Sequence, residues 1–320
     1  MTRAELTRAG VSAVNVRDHW VRIEHGVYVH RDALLPEKTS GGFTRARRIP
    51  VEVLARAHAL RNPGHVATGF TAAGVSGMRT FTGEEPLEFL VTRGARCSNS
   101  AAHLRLTRTR FLVDYREESV VPDKAFPLLR CVPAGTALGH MIRDLGREDA
   151  ARDARWPVPD LSSLIPRLTP DFIRSVQVSD SLHQTLHLTE PGDPARLRDI
   201  PVDLAAAVIG ETDVGAESPP ETLLRLVVED LAPGLCSQIP VWTPDGDLLT
   251  SADLGWEEAG VFLFYDGEHH LERGQRDHDS EVAAAIQHSG GRLLRVTAGQ
   301  LRDLEGVRTL RARVRRLLGV

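Results

Sequence analysis

The first thirty residues change hydrophobic period once. Thr2 to Ala9 is helix-prone and is stopped by Gly10, and Ser12 is placed to cap a second helix running to about Trp20. Val21-Arg22-Ile23 and Val27-Tyr28-Val29 then alternate about Glu24-His25-Gly26, the pattern of a small β-hairpin. Residues 36–48, with Lys38-Thr-Ser-Gly-Gly42, read as a linker. Helices are predicted over 51–61 and from about Thr71 to Gly77, and strands at 86–92, 103–109 and 127–132. Ala134 to Leu145 is a further helix, 146–160 is charged and contains proline, and helical fragments continue to about residue 210. From Ser218 the pattern sharpens. Ser218-Pro-Pro-Glu221 opens an apolar helix through Leu231, followed by strands near 237–242, 248–256 and 261–267. A long helix over 271–288 ends at Gly290-Gly291, Arg292 to Thr297 is a compact strand, and an arginine-rich helix fills 299–318.

A chain of 320 residues exceeds one typical domain, so two or three are expected. The pattern divides as 1–48, 49–150, a helical connector at 151–215, and 216–320. The fold class is α/β, in the sense of an α+β multidomain chain with a middle α+β region. Two helices joined through a glycine turn and followed by a hairpin is the plan of a winged helix. It offers Asn15 and Arg17 to a groove, with Arg22 and His25 on the wing near phosphates. A small helical cap with a solvated polar face accounts for the same residues.

Composition narrows the setting. No apolar run approaches the roughly 18 residues that span a bilayer, and no secretory hydrophobic stretch opens the chain, so a cytoplasmic protein is expected. Three widely spaced cysteines, Cys97, Cys131 and Cys236, argue for a reduced chain without structural zinc. Of the 39 basic residues only Lys38 and Lys124 are lysine, a skew that a GC-rich genome explains without function. Residues 1–155 carry 24 Lys and Arg against 17 Asp and Glu, a balance of +7, whereas residues 156–320 stand at −11. The front half suits a polyanion such as DNA; the back half, taken whole, repels one. Arg93, Arg96, Arg105, Arg108 and Arg110 make the middle basic, and protection of an edge strand explains them slightly better than phosphate contact.

The chemistry concentrates near the C-terminus. Asp253 and Asp266 lie on successive predicted antiparallel strands, and His269-His270 follow the second at once. Carboxylates brought together across a hairpin can hold a divalent cation against a phosphate. If the turn centres on Ala259-Gly260, the two aspartates face each other. Each residue also has a plainer explanation: Ser218-x-x-Glu221 is a capping box, Asp266-Gly267 a strand-ending turn, and the histidines a surface pair.

Ser218-Pro-Pro-Glu-Thr-Leu-Leu-Arg-Leu226, Ala252-Asp253-Leu-Gly-Trp256, Tyr265-Asp-Gly-Glu-His-His270 and Leu294-Arg-Val-Thr297 occur in an order that resembles very-short-patch-repair endonucleases of the PD-(D/E)xK superfamily. Gly26-Val-Tyr28 after a helix pair looks like the winged-helix domain of AbiEi-type antitoxins, and actinobacterial proteins of this length often combine both parts. The resemblance implies a restriction-endonuclease-like core of order α-β-β-β-α-β-α, a DNA substrate, and Mg²⁺ or Mn²⁺ held by Asp253, Asp266 and Glu221. It places His270 as a general acid or phosphate contact and Arg273 and Arg276 on a DNA-facing helix; defence or toxin–antitoxin biology with a partner toxin follows from the same likeness. Glu272 with Arg276 is equally an ordinary i,i+4 pair on a solvated face. Arg295, on a strand expected to be central, calls for a carboxylate partner among the site acids. Two residues depart from the family. Phe264 stands where an acid is usual, and no lysine follows on the strand. A DNA-binding regulator or antitoxin built on an inactive nuclease-like scaffold is therefore the alternative expectation.

Overall fold

Local capping sets the N-terminal elements of the computed structural model, which describes residues 1–36, 47–83, 85–94, 104–243, 245–266 and 273–320. Helix α1 (Arg3–Arg8) is held by a capping box: Thr2 accepts from the Glu5 N–H, and the Glu5 carboxylate accepts the Thr2 N–H at 2.7 Å. Ser12 caps α2 (Ala13–His19), and β1 (Trp20–Glu24) pairs antiparallel with β2 (Val27–His30) across a turn whose Gly26 has φ +74°. Leu6, Val16, Val27 and Val29 bury their side chains. The two-residue ladder of β3 (Leu35–Pro36) and β4 (Arg47–Arg48) pairs the two ends of the expected linker.

The chain folds as two compact units, the first of Met1–Met141 with Arg196–Asp199 and the second of Ile142–Ala195 with Ile200–Val320. The first continues with α3 (Val51–Arg61), β5 (Val66–Ala67), α4 (Gly69–Val75), β6 (Leu87–Thr92), β7 (Leu104–Thr109), α5 (Leu112–Glu118) and the start of α6 (Ala134–Leu145). Strand β6 is central, antiparallel to β5 and parallel to β7. Strand β7 is thus an edge, and its Arg105 pairs at 2.7 Å with Glu88, whose carboxyl burial raises above its ordinary range. The strand expected at 127–132 does not form. Only Cys131 bridges, to Ala67 and Val120, because Pro127 and Pro133 remove donors at both ends of the stretch. Strand β5 is too short to show a period, and α5 buries only Leu112 and Tyr115.

The segment Arg196–Asp199 closes this unit. Gly139 admits it: a Cβ there would lie 2.3 Å from the Arg198 carbonyl oxygen. Beside that contact the buried His140 ring bonds through Nδ1 to Thr68 Oγ1 at 2.5 Å and through Nε2 to Asp199 at 2.8 Å. The Tyr115 hydroxyl donates to the same Asp199 oxygen at 2.8 Å.

The second unit comprises α7 (Ala150–Arg155), α8 (Pro170–Thr185), α9 (Val202–Gly210), α10 (Pro219–Val228), β8 (Cys236–Trp242), β9 (Leu248–Trp256), β10 (Val261–Asp266), α11 (Arg273–His288), β11 (Arg292–Thr297) and α12 (Leu304–Leu318). The sheet order is β11-β10-β9-β8, with β10 and β11 parallel and the other neighbours antiparallel. One core joins Leu161, Leu168, Ile173 and Val176 to Leu224 and Val227 of α10, Leu254, Leu263 and Val296 of the sheet, and Val307, Leu310 and Val314 of α12. Residues 161–176, within the stretch expected as a connector, therefore form part of the C-terminal core. Ile239, Val241, Ala252, Val282 and Ile286 make a second cluster that includes α11. The last helix starts at an Asp303 N-cap rather than at 299, because a 3-10 turn over Ala298–Leu301 intervenes. Among the described residues, no helix is long and apolar enough to cross a membrane.

Replacing His140 with alanine leaves Thr68 and Asp199 without their ring partner and is expected to lower the unfolding free energy by about 1–3 kcal/mol. Urea titration of the wild type and His140→Ala measures this; equal midpoints would show the latch to be energetically idle.

Candidate functional site

The start of α10 fixes the first acid of the candidate site. Pro219 and Pro220 occupy the first helical positions, where a missing N–H costs nothing. The Ser218 hydroxyl donates to Glu221 Oε1 at 2.6 Å, and the Glu217 N–H donates to Glu221 Oε2 at 3.0 Å. Glu221 therefore does close the helix end, though through the Ser218 hydroxyl and the Glu217 N–H rather than the Ser218 N–H that a capping box uses. It also lies close enough to Asp253 and Glu217 for their charges to act on it.

The second acid comes from a hairpin whose register is set by close packing. Glycine at 255 is required, since a Cβ there would lie 2.4 Å from the Val261 carbonyl oxygen. The ladder runs Val261 to Trp256, Phe262 to Gly255 and Leu263 to Leu254, and then opens. Past that point Asp253 Oδ2 replaces a ladder acceptor and takes the Tyr265 N–H at 2.6 Å. Side-chain alternation also breaks here. Ala252 joins the α11-side cluster, whereas Leu254, two residues on, joins the other core. Across from this break Gln238 has φ +52°.

Asp253 and Asp266 consequently do not face each other as the sequence pattern suggested. Asp253 is one residue past the last ladder pair and Asp266 three past it, on strands that have parted. Asp266 Oδ1 instead accepts from Arg295 Nη1 at 2.8 Å. The expected carboxylate partner of Arg295 is thus found, although its strand is an edge of the sheet rather than central.

Electrostatics still tie the acids together. Burial raises the Asp253 carboxyl, and repulsion from Glu217 and Asp266 adds to it, against the lowering effect of the Tyr265 N–H. Burial likewise raises Glu221, and Asp253 and Glu217 add to that, while the Ser218 and Glu217 hydrogen bonds oppose it. Oxygen donors of this kind suit a hard divalent cation. Among the described residues, however, no three His, Cys, Asp or Glu side chains converge as a metal-binding group, and Asp266 is already engaged by Arg295.

A buried anchor lies behind the acids. Asp180 of α8 accepts from the Asp213 N–H at 2.9 Å and from Thr222 Oγ1 at 2.8 Å, and pairs with Arg225 at 3.4 Å. Its carboxyl is raised by burial to about 6 despite Arg225. Arg225 also reaches Glu229 at 2.9 Å, so α10 is fixed one residue beyond Glu221 and again a turn later.

The remaining expected residues separate. Arg22 Nη2 lies 2.8 Å from His25 Nδ1 on the β1–β2 hairpin, Arg17 pairs with Asp18 at 2.9 Å, and Asn15 accepts from the Trp20 indole at 3.3 Å, all at exposed positions. Arg273 and Arg276 begin α11, but their side chains are outside the described residues, as is all of His270. Glu217 and Gln238 were not anticipated. The four-residue spacing of Glu217 and Glu221 was readable as paired acids; nothing marked Gln238, whose place depends on its backbone angle.

Asn in place of Asp253 keeps an acceptor for Tyr265 while removing a repelled charge. A carboxyl whose folded pKa is raised contributes stability that is full below its unfolded value of 3.8 and lost as pH rises through the folded value. Asp253→Asn is therefore expected to be more stable than wild type at pH 8 without added cation, with the gap narrowing toward pH 4. Thermal unfolding across that range measures it; a constant or reversed gap would contradict the electrostatic account.

No family model matches the chain, and no curated protein matches it. Among solved structures, the crystal structure of the RV2827C protein from Mycobacterium tuberculosis is similar over 67% of this chain and 76% of that chain, at 14% identity and a TM-score of 0.33. A likeness of that degree carries no argument about function, so the functional reading rests on the residues themselves.

Proposed function

We propose that the protein acts on DNA and that its second unit hydrolyses phosphodiester bonds with the help of Mg²⁺ or Mn²⁺. The observation that carries this reading is the placing of Asp253, held by the Tyr265 N–H where the hairpin opens, near Glu221 at the start of α10, two partly buried carboxyls raised by burial and by neighbouring acids. Partly buried carboxyls raised in this way are costly to fold and are common at functional sites. A bound cation relieves that cost; it supplies charge at the phosphate and a lowered pKa for a coordinated water.

The chain's own groups have separate tasks in this reading. Asp253, oriented by the Tyr265 N–H, and Asp266 hold the cation. Glu221, raised above the ordinary carboxylate range, accepts the proton of the attacking water. That assignment takes the place of the lysine usual in the superfamily, since the two lysines of the chain are Lys38 and Lys124. Arg295, already beside Asp266, balances negative charge on the phosphate, and His270 assists from the segment after β10. The exposed Asn15, Arg17, Arg22 and His25 supply DNA contacts from the first unit, and Arg273 and Arg276 from α11.

A second reading is favoured by the Arg295–Asp266 pair and by Phe264. With Asp266 neutralised by arginine and no acid at 264, the fold would serve as the scaffold of a DNA-binding regulator or antitoxin. The two readings part on activity. Under the first, purified protein with Mn²⁺ nicks or cuts DNA, and Asp253→Asn lowers the rate by roughly a hundredfold or more while the fold is kept. No cleavage of duplex, nicked or single-stranded DNA, beside salt-sensitive binding that survives Asp253→Ala and weakens in Arg17→Ala, would select the regulator.

A further inference from the structure

The carboxylate cluster adjoins a cavity of about 290 Å³ within the second unit. Trp156, Tyr265, Pro219, Pro220 and Leu223 supply flat or apolar walls, and Arg302 lines it as well. This volume is at the lower end of small-molecule sites, which suits one planar ring system better than an extended apolar chain.

The walls are built rather than incidental. The Trp156 indole N–H donates to Gln177 Oε1 at 2.9 Å, and the Gln177 amide donates to the Pro219 carbonyl at 2.8 Å. One side chain of α8 thereby spaces an aromatic wall from a proline wall. The Arg174 guanidinium, 5.8 Å from the Trp156 ring centroid, braces the indole further. Tyr265 joins cavity to acids, because its N–H is the one bonded to Asp253 and Asp266 is its neighbour in the chain. Pro220 does the same on the opposite wall, immediately before Glu221. Arg302 is exposed, and its guanidinium makes no hydrogen bond or ion pair among the described residues.

Stacking walls, a cation and an adjacent carboxylate group match the parts of one nucleotide. We propose that this cavity receives the base of an unpaired nucleotide while Arg302 meets its phosphate backbone, so that the substrate is DNA with a single-stranded or extruded nucleotide. The proposal rests on the DNA-directed reading above. A base within an intact duplex cannot enter such a pocket without unstacking, whereas a single strand offers its bases freely.

The test is binding of a fluorescein-labelled single-stranded oligonucleotide, and of its duplex, to the full chain in EDTA, where no hydrolysis complicates the readout. The single strand is expected to bind more tightly than the duplex. Ala298→Trp fills the cavity from a half-buried lining position, with retention of the wild-type fold checked by circular dichroism, and Arg302→Ala removes the exposed cation. Each is expected to weaken single-strand binding on the order of tenfold, within the range for loss of one base–aromatic stack, and to leave duplex binding nearly unchanged. Equal affinity for both DNA forms, or full single-strand affinity in Ala298→Trp, would overturn the proposal. Cleavage with Mn²⁺ is scored separately. Single-strand preference without cleavage removes only the hydrolytic reading, and cleavage indifferent to Ala298→Trp removes only the pocket.

Discussion

The buried carboxylate of Asp180 is the constraint around which the second unit is arranged. A carboxylate removed from water is tolerated only when its oxygens are satisfied and its charge is opposed. Here the Asp213 amide meets those demands from the loop before α10, and Thr222 and Arg225 from α10 itself. Three residues earlier on α8, Gln177 ties Trp156 to the Pro219 carbonyl. One helix therefore sets the height and tilt at which α10 begins, and with it the placement of Glu221 and of the proline wall.

The β9–β10 hairpin adds the other half of the site by ending its ladder early. Regular pairing beyond Leu263 would occupy the Tyr265 N–H with a backbone carbonyl. The opening lets Asp253 take it instead, and the carboxylate is thereby oriented without a dedicated side-chain partner. Arg295 on the edge strand β11 then counters Asp266 while remaining partly open to solvent. Burial and repulsion at the acids, opposed by these hydrogen bonds, give a site that is held in shape at an energetic cost, as functional groups commonly are.

The sequence was most informative where short-range chemistry decides structure. Ser12, Ser218 and the glycines at 26 and 290 mark ends that the fold respects, and the strands expected near 248–256 and 261–267 form with nearly those limits. It was least informative where partners come from far away. Nothing local in residues 161–176 announces that they fill the core under α10 and α12, because their hydrophobic partners lie beyond residue 220. The acids of the site were visible as residue types; their relation was not, since it depends on where a ladder stops. The strand expected at 127–132 failed for the converse reason, its apolar content being visible and the lost donors of its flanking prolines outweighing it.

The segment Arg196–Asp199 belongs to the first unit although the chain on either side of it belongs to the second. A cut after Met141 would strand His140 without Asp199, and a fragment beginning at Ile142 would carry that stretch with nothing to bind. Neither unit is thus one uninterrupted stretch of chain. A truncation meant to isolate either unit therefore has to keep Arg196–Asp199 with the first.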